Sequence, residues 1–226
     1  MGSITVAFTD NGFMNLKGQD LYIFEVGPSR EEASIEISEN GIQWIDVGKV
    51  AGGKTSIELS DFDIDSRIVF KYIRITDTGS VCKSKTAGAD IDAVAAINSV
   101  IKLDVNADVL FNIADYKIRT EALSILKNFA KTIQKIDKAT IRIEGHTDSD
   151  GTLSYNQTLS ENRCTSVKKT LTSILENTHY DYEIKAFGET KPKVKNSSKS
   201  NKQRNRRVEI TVLPPKEYYN SITNWF

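Results

Sequence analysis

The periodicity of the apolar residues changes near residue 100. Before this point, short runs of β-branched and aromatic residues are separated by turn signals about every ten residues, which is typical of strands. After it, apolar residues recur at helical spacing. No run reaches the roughly 18 apolar residues that a membrane helix needs. A chain of 226 residues has room for two ordinary domains, and we predict a boundary between residues 1–99 and 100–226.

The first domain is predicted to be an all-β sandwich or jelly roll without a helix. Asn40 and Gly41 lie between two of its strands and predict a two-residue type I′ hairpin turn, because both residues tolerate positive φ. The predicted strands are Leu21–Val26, Ala33–Ser38, Ile42–Val47, Thr55–Leu59, Ile68–Thr76 and Ile91–Ile97.

The second domain is predicted to be a two-layer α/β domain of order β-α-β-α-β-β. Apolar residues from Ala122 to Ile136 are alternately four and three positions apart, which predicts a helix over Thr120–Lys135. A second helix is expected over Leu153–Glu176, and the polar segment Thr190–Lys202 is expected to be a mobile surface loop. The predicted strands are Val109–Asn112, Ala139–Gly145, Tyr182–Phe187 and Arg206–Val212.

Charge and cysteine content narrow the function. Residues 1–99 contain 9 basic and 15 acidic residues, whereas residues 100–226 contain 21 and 15. This asymmetry favours different partners for the two domains, or arises by chance, and does not support a nucleic-acid partner. Cys82 and Cys164 are too few for a zinc site and are expected to be free thiols. No secretion signal is visible. Because Met1-Gly2-Ser3 has the form of an expression remnant, the absence of a signal says little about the compartment of the protein.

Two arginines occupy positions that should be buried. Arg163 falls within the apolar stripe of the second helix, and Arg206 precedes the alternating apolar residues of the last strand. A guanidinium cannot be deprotonated, so each needs an anion. One interpretation is an internal salt bridge with Asp148. The other is a pocket in which the two arginines hold a ligand carboxylate and Asp148 holds an ammonium.

The same residues carry a family resemblance. The segment "IEGHTDSDGTLSYNQTLSENRCTSVKKTL" resembles the signature of OmpA C-terminal-like, peptidoglycan-binding domains. "DVLFNIADYKIRTEAL" looks like the opening strand and first helix of this family, and "FGETKP" and "NRRVEI" look like its closing segments. The resemblance covers about residues 104–213. The chain departs from the family pattern at Asn112, Cys164 and Lys202, where aspartate, alanine and arginine are usual.

The resemblance implies a non-catalytic protein of the bacterial periplasm or outer membrane that binds the diaminopimelate of the peptidoglycan stem peptide. His146 is expected to be a packed or hydrogen-bonded loop residue rather than a catalyst. The binding residues implied by motif position are Asp148 and Arg163, with Arg206, Asn156, Thr147 and Leu159 in support.

Two segments of the first half, "FTDNGFMNLKGQDLYIFEVGPSREEASIEISENGIQWIDVG" and "FKYIRITDTGSV" followed by "AGADIDAVAAI", carry a second resemblance. They look like a galactose-binding-like, discoidin-related surface domain. This resemblance implies a calcium ion or a sugar. Trp44 and Tyr22 could stack on a sugar ring but are more typical of a core. The candidate calcium ligands are Asp10, Asn11, Asp20, Asp90 and Asp92. The alternative for these residues is that they cap turns and face water.

Three functions remain open at this level. The first is a wall anchor whose first domain recognises a glycan or another envelope protein. The second is a docking module of a secretion or motility assembly, in which the arginine pocket is a structural salt bridge. The third is a glycan hydrolase, which no motif supports. The aromatic segment Pro214–Phe226 is expected either to dock on the protein itself or to bind a partner.

Overall fold

The computed structural model describes residues 2–25, 31–79, 90–176 and 179–215. The chain divides into two compact units, Met1–Ile101 and Lys102–Lys216. The division falls inside a strand, close to the boundary that periodicity suggested. Cys82 and most of the aromatic C-terminal segment lie outside the described residues.

The first unit contains two antiparallel sheets, with strand orders β1-β7-β4-β5 and β6-β3-β8. Side chains of both sheets, among them Ile35, Ile73 and Ile23, share one hydrophobic core. A short 3-10 helix, Leu59–Asp61, lies where we predicted none. Its strands are β1 Ser3–Ala7, β2 Gly12–Phe13, β3 Leu21–Glu25, β4 Glu32–Ser38, β5 Ile45–Ala51, β6 Lys54–Ile57, β7 Tyr72–Asp77 and β8 Ile91–Ala96. The sandwich or jelly-roll assignment stays a prediction.

The hairpin between β4 and β5 exists, but its predicted turn type is wrong. The strands pair antiparallel, and β5 begins at Ile45 rather than Ile42. Ser38 Oγ accepts from Gly41 N at 2.9 Å, and Asn40 Oδ1 accepts from Ile42 N at 2.8 Å. Gly41 has φ +74°, whereas Asn40 does not have positive φ. Side-chain acceptors therefore stabilise a longer turn than the two-residue type I′ turn.

Asp20 connects three segments of the first unit. Its side chain is fully buried. Oδ1 accepts from Leu16 N at 3.1 Å and from Asn98 Nδ2 at 2.6 Å, while Oδ2 accepts from Leu59 N at 2.8 Å. Burial raises the pKa of Asp20 to about 6, because the loss of hydration outweighs these hydrogen bonds. Through its two oxygens the carboxyl group of Asp20 joins Leu16, Leu59 and Asn98.

This pKa predicts that the first unit is more stable in mild acid than at neutral pH. The folded pKa of about 6 lies above the ordinary value of 3.8. Asp20 thus favours folding most below pH 3.8, and this contribution is lost as the pH rises through 6. The difference is about 3 kcal/mol. Urea unfolding at pH 4.5 and pH 7 should show about 2 kcal/mol of this difference, because part of the contribution is already lost at pH 4.5. Asp20→Asn should remove this pH dependence and Asp63→Asn should not; an equal dependence in Asp20→Asn would contradict the prediction.

The second unit is a mixed sheet with helices, as the sequence predicted. The sheet order is β11-β10-β12-β9, with β10 parallel to β11 and antiparallel to β12. Helix α3 packs on β10 and β11, and α2 packs on α3. A 3-10 helix, Thr120–Ala122, precedes α2. The elements are β9 Ser99–Asn106, α1 Ala107–Leu110, α2 Leu123–Ile133, β10 Ala139–His146, α3 Leu153–Leu175, β11 Tyr180–Gly188, α4 Lys199–Asn205 and β12 Arg207–Leu213.

The predicted opening strand Val109–Asn112 is wrong. Ala107–Leu110 forms the helix α1, and the opening strand is β9, which ends at Asn106. Asn106 Oδ1 accepts from Asp108 N at 2.8 Å, so it caps the first turn of the helix. The strand therefore ends at Asn106, before the apolar residues of Val109–Asn112 that had predicted a strand.

The predicted loop Thr190–Lys202 is wrong at its end, which forms the first residues of α4, and its middle is held by hydrogen bonds. Asn205 is fully buried. Its Oδ1 accepts from Lys193 N at 2.9 Å and Val194 N at 3.0 Å, and its Nδ2 donates to the Val194 carbonyl at 2.7 Å. One buried amide thus satisfies several backbone groups of the segment and holds it in place.

Candidate functional site

A pocket of about 890 Å³ lies in the second unit. Its walls come from α1 and the loop after it, from the β10–α3 loop with the first half of α3, and from α4 with the loop before it. All six predicted peptidoglycan-binding residues line it, namely Thr147, Asp148, Asn156, Leu159, Arg163 and Arg206. Four more charged residues line it, Asp108, Asp150, Lys199 and Lys202. The sequence analysis named only Lys202 of these, as a departure from the family pattern.

A close approach of α3 to β10 positions the pocket. A Cβ at Gly145 would lie 2.6 Å from Cys164 Sγ and 2.6 Å from the Ser160 carbonyl oxygen, so the strand and helix could not meet here with a larger residue. Cys164 is a buried free thiol, as the sequence predicted. Burial raises its pKa to about 12, which makes it unreactive.

The β10–α3 loop holds Asp148 at the pocket. Asp148 is 6% exposed, and its Oδ1 accepts from Asp150 N at 3.0 Å. Its carbonyl oxygen accepts from Thr147 Oγ1 at 2.9 Å and from Asn156 Nδ2 at 3.2 Å. Thr147 and Asn156 therefore contribute by fixing the backbone of this loop.

Arg206 lies between two carboxylates. It ends α4 and precedes β12, rather than lying in the strand as predicted. Nε and Nη2 donate to the two carboxylate oxygens of Asp108 at 2.9 and 2.7 Å, and Nη1 donates to Asp148 Oδ2 at 2.6 Å. The hydrogen bonds to Asp108 and then to Asp148 raise the pKa of Arg206. For this arginine the arrangement is the internal salt bridge of the first interpretation.

Arg163 is different. It is 4% exposed, and its Nε donates to the Asp115 carbonyl at 3.0 Å. The guanidinium carbon lies 5.1 Å from the centre of the Phe111 ring. Within the described part of the chain, Nη1 and Nη2 make no hydrogen bond and no carboxylate lies within 4.0 Å. Burial lowers the pKa of this guanidinium. The pocket thus contains a buried cation with free donors.

Asp108 is the main residue that the sequence analysis missed. It lies in α1, at a segment interpreted as strand, and pairs with a residue 98 positions away. With Asp108, two carboxylates balance the two guanidiniums, and the positive excess among the lining residues comes instead from Lys199, since Lys202 pairs with Asp150. The available signal was the Asn106 cap, which places Asp108 in the first helical turn.

His146 lies at the end of β10 rather than in a loop. It is buried and stacks on Phe187 with ring centres 5.2 Å apart. Its Nε2 lies 3.8 Å from the Glu209 carboxylate. This is the packed residue that the sequence predicted, although its place is a strand.

The proposed calcium ligands do not form a recognisable ion site. Asp10 and Asn11 lie between β1 and β2, and Asp90 and Asp92 lie at the start of β8. The oxygens of Asp20 already accept three hydrogen bonds. In residues 2–25, 31–79, 90–176 and 179–215, no group of three or more His, Cys, Asp or Glu side chains is arranged to hold a metal. Calcium binding by the first unit stays a prediction.

Comparison with known proteins found a family match and several relatives of this chain. Residues 110–206 match the OmpA family. Outer membrane porin F of Pseudomonas aeruginosa is 30% identical over 61% of this chain and 39% of its own length. Outer membrane protein A of Bordetella avium is 36% identical over 50% of this chain and 57% of its own. The structure of the cell wall anchor of the T6SS from Pseudomonas aeruginosa is 31% identical, over 53% of this chain and 84% of that one, with a TM-score of 0.45.

The matches leave a large part of each protein unaligned. The chain spans 39% and 57% of the length of the two outer membrane relatives, and the family match covers residues of the second unit only. None of the helices in the described ranges is long and apolar enough to cross a membrane. The family match applies to residues 110–206 of the second unit.

Proposed function

We propose that this protein is a non-catalytic cell-envelope anchor whose second unit binds the peptide stem of peptidoglycan. The recognised group is the free end of diaminopimelate, which carries one ammonium and one carboxylate. The observation that carries this proposal is Arg163, a buried residue that lines the pocket and whose terminal nitrogens have no hydrogen-bond partner among the described residues.

Charge balance supports a zwitterionic ligand. Asp108, Asp148, Arg163 and Arg206 together have no net charge at neutral pH, and Lys202 pairs with Asp150. Among the lining residues this leaves the exposed Lys199 as one positive charge. A ligand with one positive and one negative group adds no unbalanced charge to this partly desolvated site, whereas a simple anion or cation would. The pairing of Arg206 with both carboxylates also leaves Arg163 as the arginine available to a ligand carboxylate.

The residues divide into two roles. Arg163 donates from Nη1 and Nη2 to the ligand carboxylate, a geometry that guanidinium and carboxylate share. Asp148 accepts from the ligand ammonium, since a carboxylate has about four acceptor positions and Asp148 uses two of them in side-chain contacts. Thr147 and Asn156 keep the Asp148 loop in position, and half-buried Leu159 contacts the hydrocarbon chain of diaminopimelate.

The proposed location is the periplasmic side of a bacterial outer membrane. The support is the match of the second unit to the OmpA family and the names of its relatives, which are outer membrane proteins. The first unit is proposed to recognise a second envelope component.

Co-sedimentation of the protein with purified diaminopimelate-type sacculi tests this function. We expect a soluble tripeptide that contains diaminopimelate to release the protein. The matched tripeptide with lysine in that position should not, because lysine has the ammonium without the adjacent carboxylate. Absence of sedimentation, or equal release by both peptides, would contradict the proposal. The tripeptide could also release the protein from the sacculi while a co-purified protein stays bound to it. That result would show that a second, separate surface binds the protein partner.

A further inference from the structure

Two exposed apolar side chains line the charged pocket, and others lie near them in the sequence. Ile113 is 96% exposed and Tyr155 is 47% exposed, and both line the pocket. Three more large apolar residues with exposed side chains lie in the two segments 109–116 and 153–155, which contain Ile113 and Tyr155. They are Val109, Tyr116 and Leu153. Eight such residues occur in the described part of the chain, and five of them belong to these segments of the second unit.

The backbone directly after Ile113 has an energetically unfavourable conformation. The next residue, Ala114, has φ +56°, which is unusual for a residue with a Cβ and is disfavoured energetically. The residue after it, Asp115, has its carbonyl oxygen 3.0 Å from Arg163 Nε. One tight loop thus holds the buried cation and places an isoleucine side chain in solvent beside it. Packing within the unit does not explain the position of Ile113, since almost none of its side chain is buried.

We infer that Ile113, with Tyr155, forms an apolar lip that contacts the alanine joined to diaminopimelate in the stem peptide. This inference rests on the proposed function. With the free end of diaminopimelate at Arg163 and Asp148, its hydrocarbon chain passes Leu159, and the peptide backbone leaves through the mouth of the pocket. The residue attached there in a tetrapeptide stem is alanine, whose methyl group suits an apolar contact. The lip therefore selects an intact peptide over free diaminopimelate.

Two probes separate the lip from the charged pocket. Free meso-diaminopimelate reaches only Arg163, Asp148 and their neighbours, whereas the tetrapeptide that ends in alanine also reaches the lip. We expect Ile113→Ser to weaken tetrapeptide binding about five- to tenfold, as expected for the loss of a small apolar contact, and to leave the affinity for free meso-diaminopimelate unchanged. Isothermal titration calorimetry with the full chain measures both.

Val109→Ser is the matched control, because Val109 is also exposed but does not line the pocket. It should bind both probes as the parent does. The inference is wrong if Ile113→Ser binds the tetrapeptide as tightly as the parent, or if it loses the same factor for both probes. A parent protein that binds neither probe contradicts the proposed function itself, and the lip falls with it. Ile113 is exposed, so the variant should fold normally, and circular dichroism checks this.

Discussion

Arg163→Met is expected to weaken binding to sacculi at least about 100-fold without destabilising the second unit. In the parent, the free Nη1 and Nη2 donors are proposed to hold the ligand carboxylate. Methionine leaves that carboxylate in the pocket without a partner, which for a desolvated ion pair costs about 3 kcal/mol or more, and about 2.7 kcal/mol corresponds to a 100-fold change.

The stability of this variant distinguishes a binding residue from a structural one. A buried cation with one hydrogen bond, to the Asp115 carbonyl, is costly to the folded state. Methionine fills much of the same volume and makes favourable contact with an aromatic ring such as Phe111. The midpoint of thermal unfolding should therefore stay the same or rise, although the hydrogen bond to Asp115 is lost.

Arg204→Met is the matched control. Arg204 is an exposed arginine in the last turn of α4 and does not line the pocket, so the substitution removes the same charge from the same unit. It should bind sacculi nearly as the parent does. If Arg163→Met also binds normally, the site assignment is wrong. If it unfolds at a much lower temperature, Arg163 is a structural residue and the salt-bridge interpretation gains support.

Glu209→Gln is expected to destabilise the second unit by about 3 kcal/mol at pH 7. Glu209 is buried and lies between two cations, with Oε2 2.7 Å from Lys102 Nζ and Oε1 2.6 Å from Arg207 Nε. A neutral amide would remove the carboxylate charge that Arg207 and Lys102 share in a poorly hydrated site, although Asp104 remains 3.7 Å from Lys102 Nζ. Removal of one partner from a buried ion pair typically costs 3–5 kcal/mol, and the partial exposure of Lys102 places the estimate at the lower end.

The same residue should dominate the acid sensitivity of this unit. Burial alone would raise the pKa of Glu209, but Lys102 and Arg207 outweigh it and hold the pKa at about 2, below the ordinary 4.5. A lowered folded pKa stabilises the protein above pH 4.5, and the contribution is lost as the pH falls towards 2. Urea unfolding between pH 7 and pH 3 should show a steep loss in the parent and a shallower one in Glu209→Gln.

Glu161→Gln gives the baseline for this series, because Glu161 is an exposed residue of α3. It should follow the parent at every pH. Equal urea midpoints for Glu209→Gln and the parent at pH 7 would mean that water solvates Lys102 and Arg207 well enough to replace the carboxylate.

Elements with a strong local signal were predictable. Helix α3 was expected at Leu153–Glu176 and is Leu153–Leu175, because its apolar stripe and the Thr152 cap are both encoded within a few residues. The hairpin turn at Asn40 failed for a local reason of another kind: the Ser38 hydroxyl and Asn40 amide offer acceptors that stabilise a longer turn. The polar segment before β12 failed because one buried amide, at Asn205, holds it.

The sequence by itself determined one wall of the pocket, since the motif order and the helical spacing bring Asp148, Asn156 and Arg163 to one end of α3. It did not predict Asp108 on another wall. Only the tertiary structure decided which arginine is free. Arg206 pairs with Asp108, a residue 98 positions away whose helix was interpreted as a strand. Arg163, in contrast, donates only to a backbone carbonyl. Helical spacing is a local property of the chain, whereas the pairing of charges depends on distances between segments that only folding brings together.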